Sequence, residues 1–561
     1  MAAPPSARSL VTPASLRVME RVAVALLLLA AFVPRVRDFR GTFDREFEGF
    51  QGTFFASCAL NYERLGLGHL GGYPSLNIDL PEGDYKDGAY IYGNHPPTVP
   101  LLTWASLKLL APEGWGEAWR EFEPPEGIEP YVRFPFLALH MLGLFAFWWA
   151  LRQASGPRVA LLGLAVLAMT PVSVLYAQLV NYENPSLPFI CLGCGFHARY
   201  LRGMSGPNLL GMGLSFAAAA AVTFAPLFFV PPLVLQALLR RGWRGALRPA
   251  LAVGLCAALP IAVHGLWVRA ALPSEASESV LARAAHLIEP MFTGAEPFGE
   301  WVRRQAVRAS FFLSPPIVAA ALGGLGVIAW RRLRGAKAPN AAADGRVELA
   351  PPLLLGGVTL QLLFYTHTFD GEGVWDGQTV FLLNLAPGAA AAAAVLLDAL
   401  ATPLARLRGG VAPLVVATSL VGLPGIARAN QVRYRWREPG PRDDPARTFG
   451  PDAPLPATVG REISELLPPV SVGFYPEALG FNQAASWYAW RTLIDVEKET
   501  FGAGVGIATL LGLGERPRFL LIPKDPAPEV EAQVGDVHEQ LKAAGEPFRT
   551  SEHWEVWSLD G

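Results

Sequence analysis

The sequence predicts a polytopic α-helical membrane protein with about 11 transmembrane helices and a small extracytoplasmic α/β C-terminal domain. Three observations predict this class. Of 561 residues, 52% are hydrophobic and 17% charged, whereas soluble domains carry roughly 25% charged residues. Apolar runs of about 20 residues, long enough to cross a ~30 Å hydrocarbon layer, recur along most of the chain. The loops between those runs alternate in charge. Together these exclude a soluble multidomain enzyme and a disordered chain. A net charge of −2 gives no reason to expect nucleic acid.

The spans fall near 18–36, 133–151, 158–176, 184–200, 207–222, 224–239, 249–268, 310–330, 350–366, 379–399 and 411–427. The first follows a basic N-terminal stretch with no convincing small-residue cleavage site, and reads as a retained anchor. The fifth and sixth are separated at Thr223-Phe224-Ala225-Pro226, read as a tight turn. One set of loops carries Arg8, Arg17, Arg21, Arg152, Arg158, Arg199, Arg202, Arg240, Arg241, Arg244, Arg248, Arg331, Arg332, Arg334, Lys337, Arg346, Arg406 and Arg408, against Glu20, Asp344 and Glu348. The opposite loops 176–183 and 367–378 have no Lys or Arg. The positive side faces the cytoplasm. The N-terminus is then cytoplasmic and, with an odd number of spans, the C-terminus is periplasmic or extracellular. Arg far outnumbers Lys, which fits a GC-rich, bacterial source and an inner-membrane location. The chain divides into a membrane domain, 1–427, and a soluble tail, 428–561, with a large outer loop at 37–132. No internal repeat is evident. Cys191 and Cys194 have CxxC spacing, but inside an apolar helix and without a second pair they read as packing.

The chemistry-bearing residues gather in the outer loop, which holds seven Lys/Arg and 15 Asp/Glu. Asp44, Glu46 and Glu48 follow the first span directly. A carboxylate near the membrane surface can take a proton from a hydroxyl or bind a divalent cation. Phe50 to Leu65 has helical spacing of large residues, and Pro97 to Leu110 reads as a second helix opening on Pro-Pro. Both look amphipathic and are expected along the membrane surface. Between them stands Asn94-His95-Pro96-Pro97, whose prolines restrict the histidine backbone; His95 can serve as a metal ligand or proton carrier. Acids and a histidine are also ordinary in a wet loop, so residue type alone leaves both readings open.

This order of features resembles the GT-C glycosyltransferases, in particular the protein O-mannosyltransferases and the aminoarabinose transferases that modify lipid A. There an acidic motif follows the first helix. An amphipathic helix comes next, then a His-Pro-Pro or Glu-Lys-Pro motif, then a surface helix leading to an arginine at the mouth of the second span. Here the acids at 44–48, the helix ending at Gly66, Asn94-His95-Pro96-Pro97, the helix to Leu110 and Arg133-Phe134-Pro135 supply that series. The resemblance covers about residues 20–200 and implies a GT-C-like fold. One departure stands out: the family's paired acids would fall near Gln51-Gly52, and the nearest acid is Glu48. A Gly- and Asp-rich insertion also precedes His95.

The resemblance implies an integral-membrane glycosyltransferase that moves a sugar from a polyprenyl-phosphate donor to an acceptor on the outer face of the cytoplasmic membrane. The acceptor would be a lipid, glycan or protein, with membrane lipids as surroundings and no nucleic acid. Glu48, Glu46 or Asp44 would act on the acceptor. Arg133 would meet the donor phosphate, bidentately as arginine does, although an interfacial arginine also snorkels. His95 would contact the phosphate or hold a divalent metal cation, which the family permits without requiring. Glu183 matches an acid at the start of the fourth span in relatives; it is also the residue type a helix N-terminus favours. His367, in the last outer loop, would be a further phosphate contact. A glycolipid or polysaccharide flippase is the alternative, and it would place polar residues and broken helices at the bilayer midplane.

In the tail, Val470–Tyr475, Arg518–Ile522 and His553–Leu559 read as strands and Pro528 to Ala544 as a helix. Trp487, Tyr488 and Trp490 could stack on sugars or pack a core.

Overall fold

The computed structural model describes residues 13–37, 39–43, 46–68, 72, 74, 95–117, 127–271, 298–335, 347–364, 382–404, 418–427, 429, 456–468, 471–476, 492–496, 517–524, 526 and 528–559. Helices run in chain order: α1 Pro13–Arg35, α2 Glu46–Leu65, α3 Thr98–Leu110, α4 Glu129–Ser155, α5 Pro157–Met169, α6 Pro171–Leu175, α7 Glu183–Gly203 and α8 Gly206–Ala220. A 3-10 turn, Ala225–Phe229, leads to α9 Val230–Ala271, followed by α10 Phe298–Leu313, α11 Pro315–Gly335, α12 Ala350–Phe364 and α13 Ala386–Leu404. The short α14 spans Thr418–Ala427. Among the described residues, four helical stretches are long and apolar enough to cross a membrane: Glu129–Ser155, Ala225–Arg269, Pro315–Arg334 and Leu382–Ala401.

Local chemistry explains where these helices break. The expected span 158–176 is two helices, because Pro171 lacks an N–H and drives Thr170 into extended backbone (φ −66°, ψ 129°). The separation expected at Thr223–Pro226 is present as the turn between α8 and the 3-10 segment. Within α9, Gly242 adopts φ 68° and ψ −175°, a left-handed conformation that glycine takes without a Cβ penalty. It divides α9 into two helical halves, where the sequence reading places two spans.

Two ends of the bundle can be told apart by what ties them. At one end Arg152 grips Glu20 through Nε (2.6 Å) and Nη2 (3.2 Å), joining α4 to α1. Arg158 meets Asp398 at 3.2 Å, joining α5 to α13. Arg202 donates to the Ala154 carbonyl and Arg241 to those of Leu201 and Arg202. The basic loops therefore converge on a single end. Between the ends the packing is close: a Cβ on Gly324 of α11 would lie 1.8 Å from the Ala392 carbonyl oxygen of α13. Small residues let these backbones meet, as they do where helices associate in lipid.

The outer-loop helices have their own apolar cluster, built from Phe43, Phe54, Phe55 and Leu60 with Val99, Val132, Phe136 and Tyr182. From Gly52 to Tyr62, α2 is buried at every position. The amphipathic surface helix expected there is instead enclosed by neighbours, and its polar faces are satisfied internally, as when Ser57 Oγ donates to the Thr53 carbonyl (2.8 Å). α3 keeps a wetter side, with Leu109 exposed.

In the C-terminal segment, α15 (Pro456–Leu466) and α16 (Pro528–Ala544) accompany strands β1 Val472–Pro476, β2 Thr492–Val496, β3 Arg518–Pro523, β4 Arg549–Thr550 and β5 Trp554–Ser558. The sheet order is β2-β1-β3-β5-β4. The first three strands are parallel, with Val472 opposite both Thr492 and Arg518, and β5 is antiparallel to β3. Its core is Phe474, Leu520, Ile522, Trp554 and Val556 against Val459 and Ile463. Glu462 fixes α15 to the last hairpin by accepting from Ser551 and from His553 Nδ1 (2.9 Å).

One ion pair outside the spans gives a pH prediction. Glu63 of α2 accepts from Trp104 Nε1 (3.0 Å) and from Lys108, both on α3. Burial pushes its carboxyl up, but the hydrogen bonds and the ammonium outweigh burial and hold it below the ordinary 4.5. A lowered folded value means the contribution is complete above the unfolded pKa and is lost as pH falls through the folded one. Hydrogen-exchange protection factors across residues 98–110 should therefore hold at neutral pH and fall below about pH 4. Glu63→Gln should remove that pH dependence; an acid-induced change surviving in the variant would contradict it.

Candidate functional site

His95 enters α3 through Pro96 and Pro97, both buried. The Thr98 hydroxyl at the start of α3 donates to the Ala221 carbonyl just beyond α8. This staple holds the imidazole against two rings. It stacks on Tyr182 with centroids 4.0 Å apart and planes 27° apart, and on Phe224 at 5.7 Å and 30°. Tyr182 meets Phe55 of α2 edge-on at 5.5 Å, and Phe224 reaches His264 of α9 at 6.2 Å. Four segments thus meet around His95: α2, the start of α7, the turn after α8, and α9.

Tyr182 immediately precedes Glu183, the first residue of α7, which is 3% exposed. The first-turn position suits an anion because the unpaired N–H groups of a helix start lie there. The structure therefore stacks one sequence-predicted site residue, His95, on the tyrosine that directly precedes another, Glu183.

Arg133 sits in the first turn of α4, 2% exposed. Its Nη1 donates to the carbonyls of Phe39 (3.2 Å) and Gly41, and its Nη2 to that of Thr42 (3.2 Å). The guanidinium also lies over the Phe43 ring, 4.8 Å from its centroid. In this conformation Arg133 faces backbone rather than an open cleft, and it fixes the segment that leads from α1 to the acids. Gly52 of α2 also lies against Phe43, where a Cβ would come within 2.3 Å of the ring. That crowding leaves no room for an acidic side chain at 52 while Phe43 occupies the space.

Glu46 is the first residue of α2 and Glu48 lies in its first turn. Asp44 and His367 fall outside the described residues, as do the side chains of Glu46 and Glu48. Trp487, Tyr488 and Trp490 also lie outside them. Among the described residues no three His, Cys, Asp or Glu side chains are grouped to hold a metal ion. Cys191 and Cys194 are buried in the apolar core, consistent with packing.

Sequence reasoning missed a set of buried polar residues beneath this region. Arg35 Nη2 donates to Ser173 Oγ (2.7 Å), which lies 3.0 Å from His140 Nε2. His140 Nδ1 lies 3.0 Å from Asn184 Oδ1. The available signal was His140 itself, an ionisable residue in the middle of an apolar run.

Comparison with known proteins gives the same architecture. The family model described as dolichyl-phosphate-mannose-protein mannosyltransferase matches residues 127–267, a stretch that contains Arg133, His140, Tyr182, Glu183 and His264. No curated protein matches the chain. The crystal structure of ArnT from Cupriavidus metallidurans bound to undecaprenyl phosphate aligns over 98% of this chain and 98% of its own, with TM-score 0.52 and 13% identity. The apo form gives TM-score 0.50 and 15% identity over the same shares. The Archaeoglobus fulgidus oligosaccharyltransferase in its apo form aligns over 90% of this chain and 69% of its own, with TM-score 0.51 and 11% identity. At these identities the likeness is one of fold. The chain resembles the GT-C glycosyltransferases in fold over nearly its whole length, and in sequence over the quarter that the family model matches.

Proposed function

We propose that the protein is an integral-membrane glycosyltransferase that transfers a sugar from a polyprenyl-phosphate donor to a hydroxyl or amine acceptor at the outer membrane surface. What supports this reading is the apolar cluster that joins Phe43 and Phe55 of the acid-bearing region to Tyr182, the residue on which His95 stacks and which directly precedes Glu183 in the chain. A fold shared with a structure bound to undecaprenyl phosphate supports a lipid-linked donor. The membrane domain is 1–427, with 11 spans, the catalytic loop at 37–132 and the N-terminus cytoplasmic. The sheet-bearing segment 428–561 is a small α/β domain on the outer face.

The reaction needs an acceptor nucleophile, a route for its proton and a stabilised leaving group. The acceptor oxygen or nitrogen attacks the anomeric carbon, and the bond from that carbon to the lipid phosphate breaks, the phosphate keeping the electron pair. A carboxylate among Glu48, Glu46 and Asp44 receives the acceptor's proton. Helical periodicity favours Glu48: it lies one turn before Gly52, so the two positions share a face of α2. Glu183 orients the acceptor. His95, held flat between Tyr182 and Phe224, presents its ring edge to the departing phosphate, with His367 as a further contact. Arg133 serves the phosphate through position, by holding 39–43. A divalent cation, if the enzyme carries one, would offset phosphate charge, with His95 and the acids of 44–48 as its donors. The described intramembrane polar residues favour this reading over a flippase, because His140, Ser173 and Asn184 are enclosed and bonded to one another instead of lining an open path.

Two experiments test this. In a transfer assay with purified full-length chain and radiolabelled polyprenyl-phosphate sugars, Glu48→Gln, Glu46→Gln and Asp44→Asn are compared with wild type. Loss of the base should lower the rate by about 10²-fold or more; full activity in all three sinks the site. The second concerns Phe43. Gly52→Val should force that ring to move, costing about 1–3 kcal/mol of overpacking, and should reduce transfer. Gly68→Ala, where an added Cβ meets nothing within 4 Å, should leave transfer unchanged. Equal activity in the two variants would show that the Phe43 contact does not set the loop.

A further inference from the structure

The polar chain beneath the site has a single direction. Asn184 Nδ2 donates to the carbonyls of Tyr176 (2.6 Å) and Leu179 (2.9 Å). Its Oδ1 is therefore the atom facing His140 Nδ1 at 3.0 Å, and an amide oxygen can only accept. So Nδ1 carries a proton. Ser173 Oγ accepts from Arg35 Nη2 at 2.7 Å, and its own hydrogen is free to point at His140 Nε2, 3.0 Å away. His140 is then a neutral imidazole, donating at Nδ1 and accepting at Nε2. Protonation would bury a second positive charge across one serine oxygen from the Arg35 guanidinium. Each step from Arg35 through Ser173 and His140 to Asn184 runs donor to acceptor, and all four residues are buried, with no measurable exposure.

The two ends of this chain lead to different parts of the proposed site. Arg35 is the last residue of α1, also held by Nη1 to the Ala31 carbonyl (2.8 Å) and by Nη2 to that of Ala168 (2.9 Å). Residues 36–43 come next in the chain, and they form the segment that Arg133 grips and the acids extend. Asn184 comes directly after Glu183. It closes the loop 176–183 through the Tyr176 and Leu179 carbonyls and through its own N–H to Asn181 Oδ1 (3.1 Å). That loop carries Tyr182, on which His95 stacks.

We infer that His140 is a positioning residue that couples the two acid-bearing segments, 36–48 and 176–183, so that the acceptor side and the His95 side of the site keep their spacing. This rests on the glycosyltransferase reading for its consequence in catalysis, but not for the coupling itself. His140 touches no substrate. It acts through Ser173 and Arg35 in one direction and Asn184 in the other. A neutral ring with one donor and one acceptor on opposite sides meets both demands, and an aliphatic or phenyl side chain meets neither.

The experiment uses the full-length chain in detergent or nanodiscs, as wild type, His140→Phe and Ser173→Ala. Hydrogen–deuterium exchange is followed by mass spectrometry beside the sugar-transfer assay. Loss of a buried hydrogen bond should raise exchange in 36–43 and in 176–183 by about tenfold or more, with α11 and α13 unchanged. In transfer, kcat should fall by about tenfold, with the donor KM within about twofold of wild type, the pattern of an interaction realised in the transition state. A rise confined to one segment, a rise in neither, or a uniform rise across all helices overturns the coupling. Two loosened segments with unchanged kcat overturn its part in catalysis. A wild-type chain that transfers no sugar overturns the functional reading, and the exchange pattern still decides the coupling.

Discussion

A carbonyl at a helix end has no partner within its own helix. In an apolar slab water does not supply one, so the protein must. Much of this structure reflects how that demand is met. Arg35 reaches the carbonyls of Ala31 and Ala168, and Arg133 those of Phe39, Gly41 and Thr42. Asn184 takes those of Tyr176 and Leu179. At the other end of the bundle, Arg202 takes Ala154, Arg241 takes Leu201, and Gln236 takes Glu348. Apart from the Arg35–Ala31 bond inside α1, each is a long or amide side chain reaching a carbonyl at a helix end or in a loop. The satisfied carbonyl is thus also a tertiary tether, and the outer tethers are the ones that shape the proposed site.

This also sharpens the meaning of charge in the sequence. In the proposed topology, a net charge of −2 is the sum of two unlike faces. The basic residues of one face are partly spent inside the protein, Arg152 on Glu20 and Arg158 on Asp398. The acids assigned to the other face are concentrated in 37–132 and 428–561, which together hold 35 Asp/Glu against 21 Lys/Arg. An anionic lipid phosphate would meet few mobile cations there. That asymmetry gives His95 its importance in the proposed mechanism, because it is fixed by stacking and not by an ion pair.

Periodicity and proline made the helices legible. Pro528 to Ala544 is a helix over the span the sequence predicts, and the strands near 472, 518 and 554 fall where alternation of apolar residues places them. Residues 492–496 and 549–550 were not legible as strands: each is short and gains its pairing from neighbours. The enclosure of α2 was hidden for a related reason. A helix with large residues on one side reads as amphipathic, but Thr53, Ser57 and Asn61 on its other side are small enough to be buried with internal partners. His95 and Glu183 were legible as candidates from their motifs, whereas their shared contact with Tyr182 depends on a loop closed by Asn184, which no local pattern announces.

On the proposed reading, the acidic motif is shifted by the same economy of space. Arg133, Phe43 and Gly52 lie in contact: the guanidinium is over the Phe43 ring, and the bare backbone of Gly52 lies close against that ring. Once an aromatic side chain occupies that position, the next residue of the same helical face able to carry a carboxylate is one turn earlier, at Glu48. The acid is also brought nearer the N-terminus of α2, where unpaired N–H groups favour a negative charge. If Glu48 is the base, as proposed, the motif has moved by a turn, and the pinned loop before the helix is what holds it. Here the pin is an arginine whose hydrogen bonds go to backbone, so its role survives any change in the residues at 39–42 that leaves their carbonyls in position.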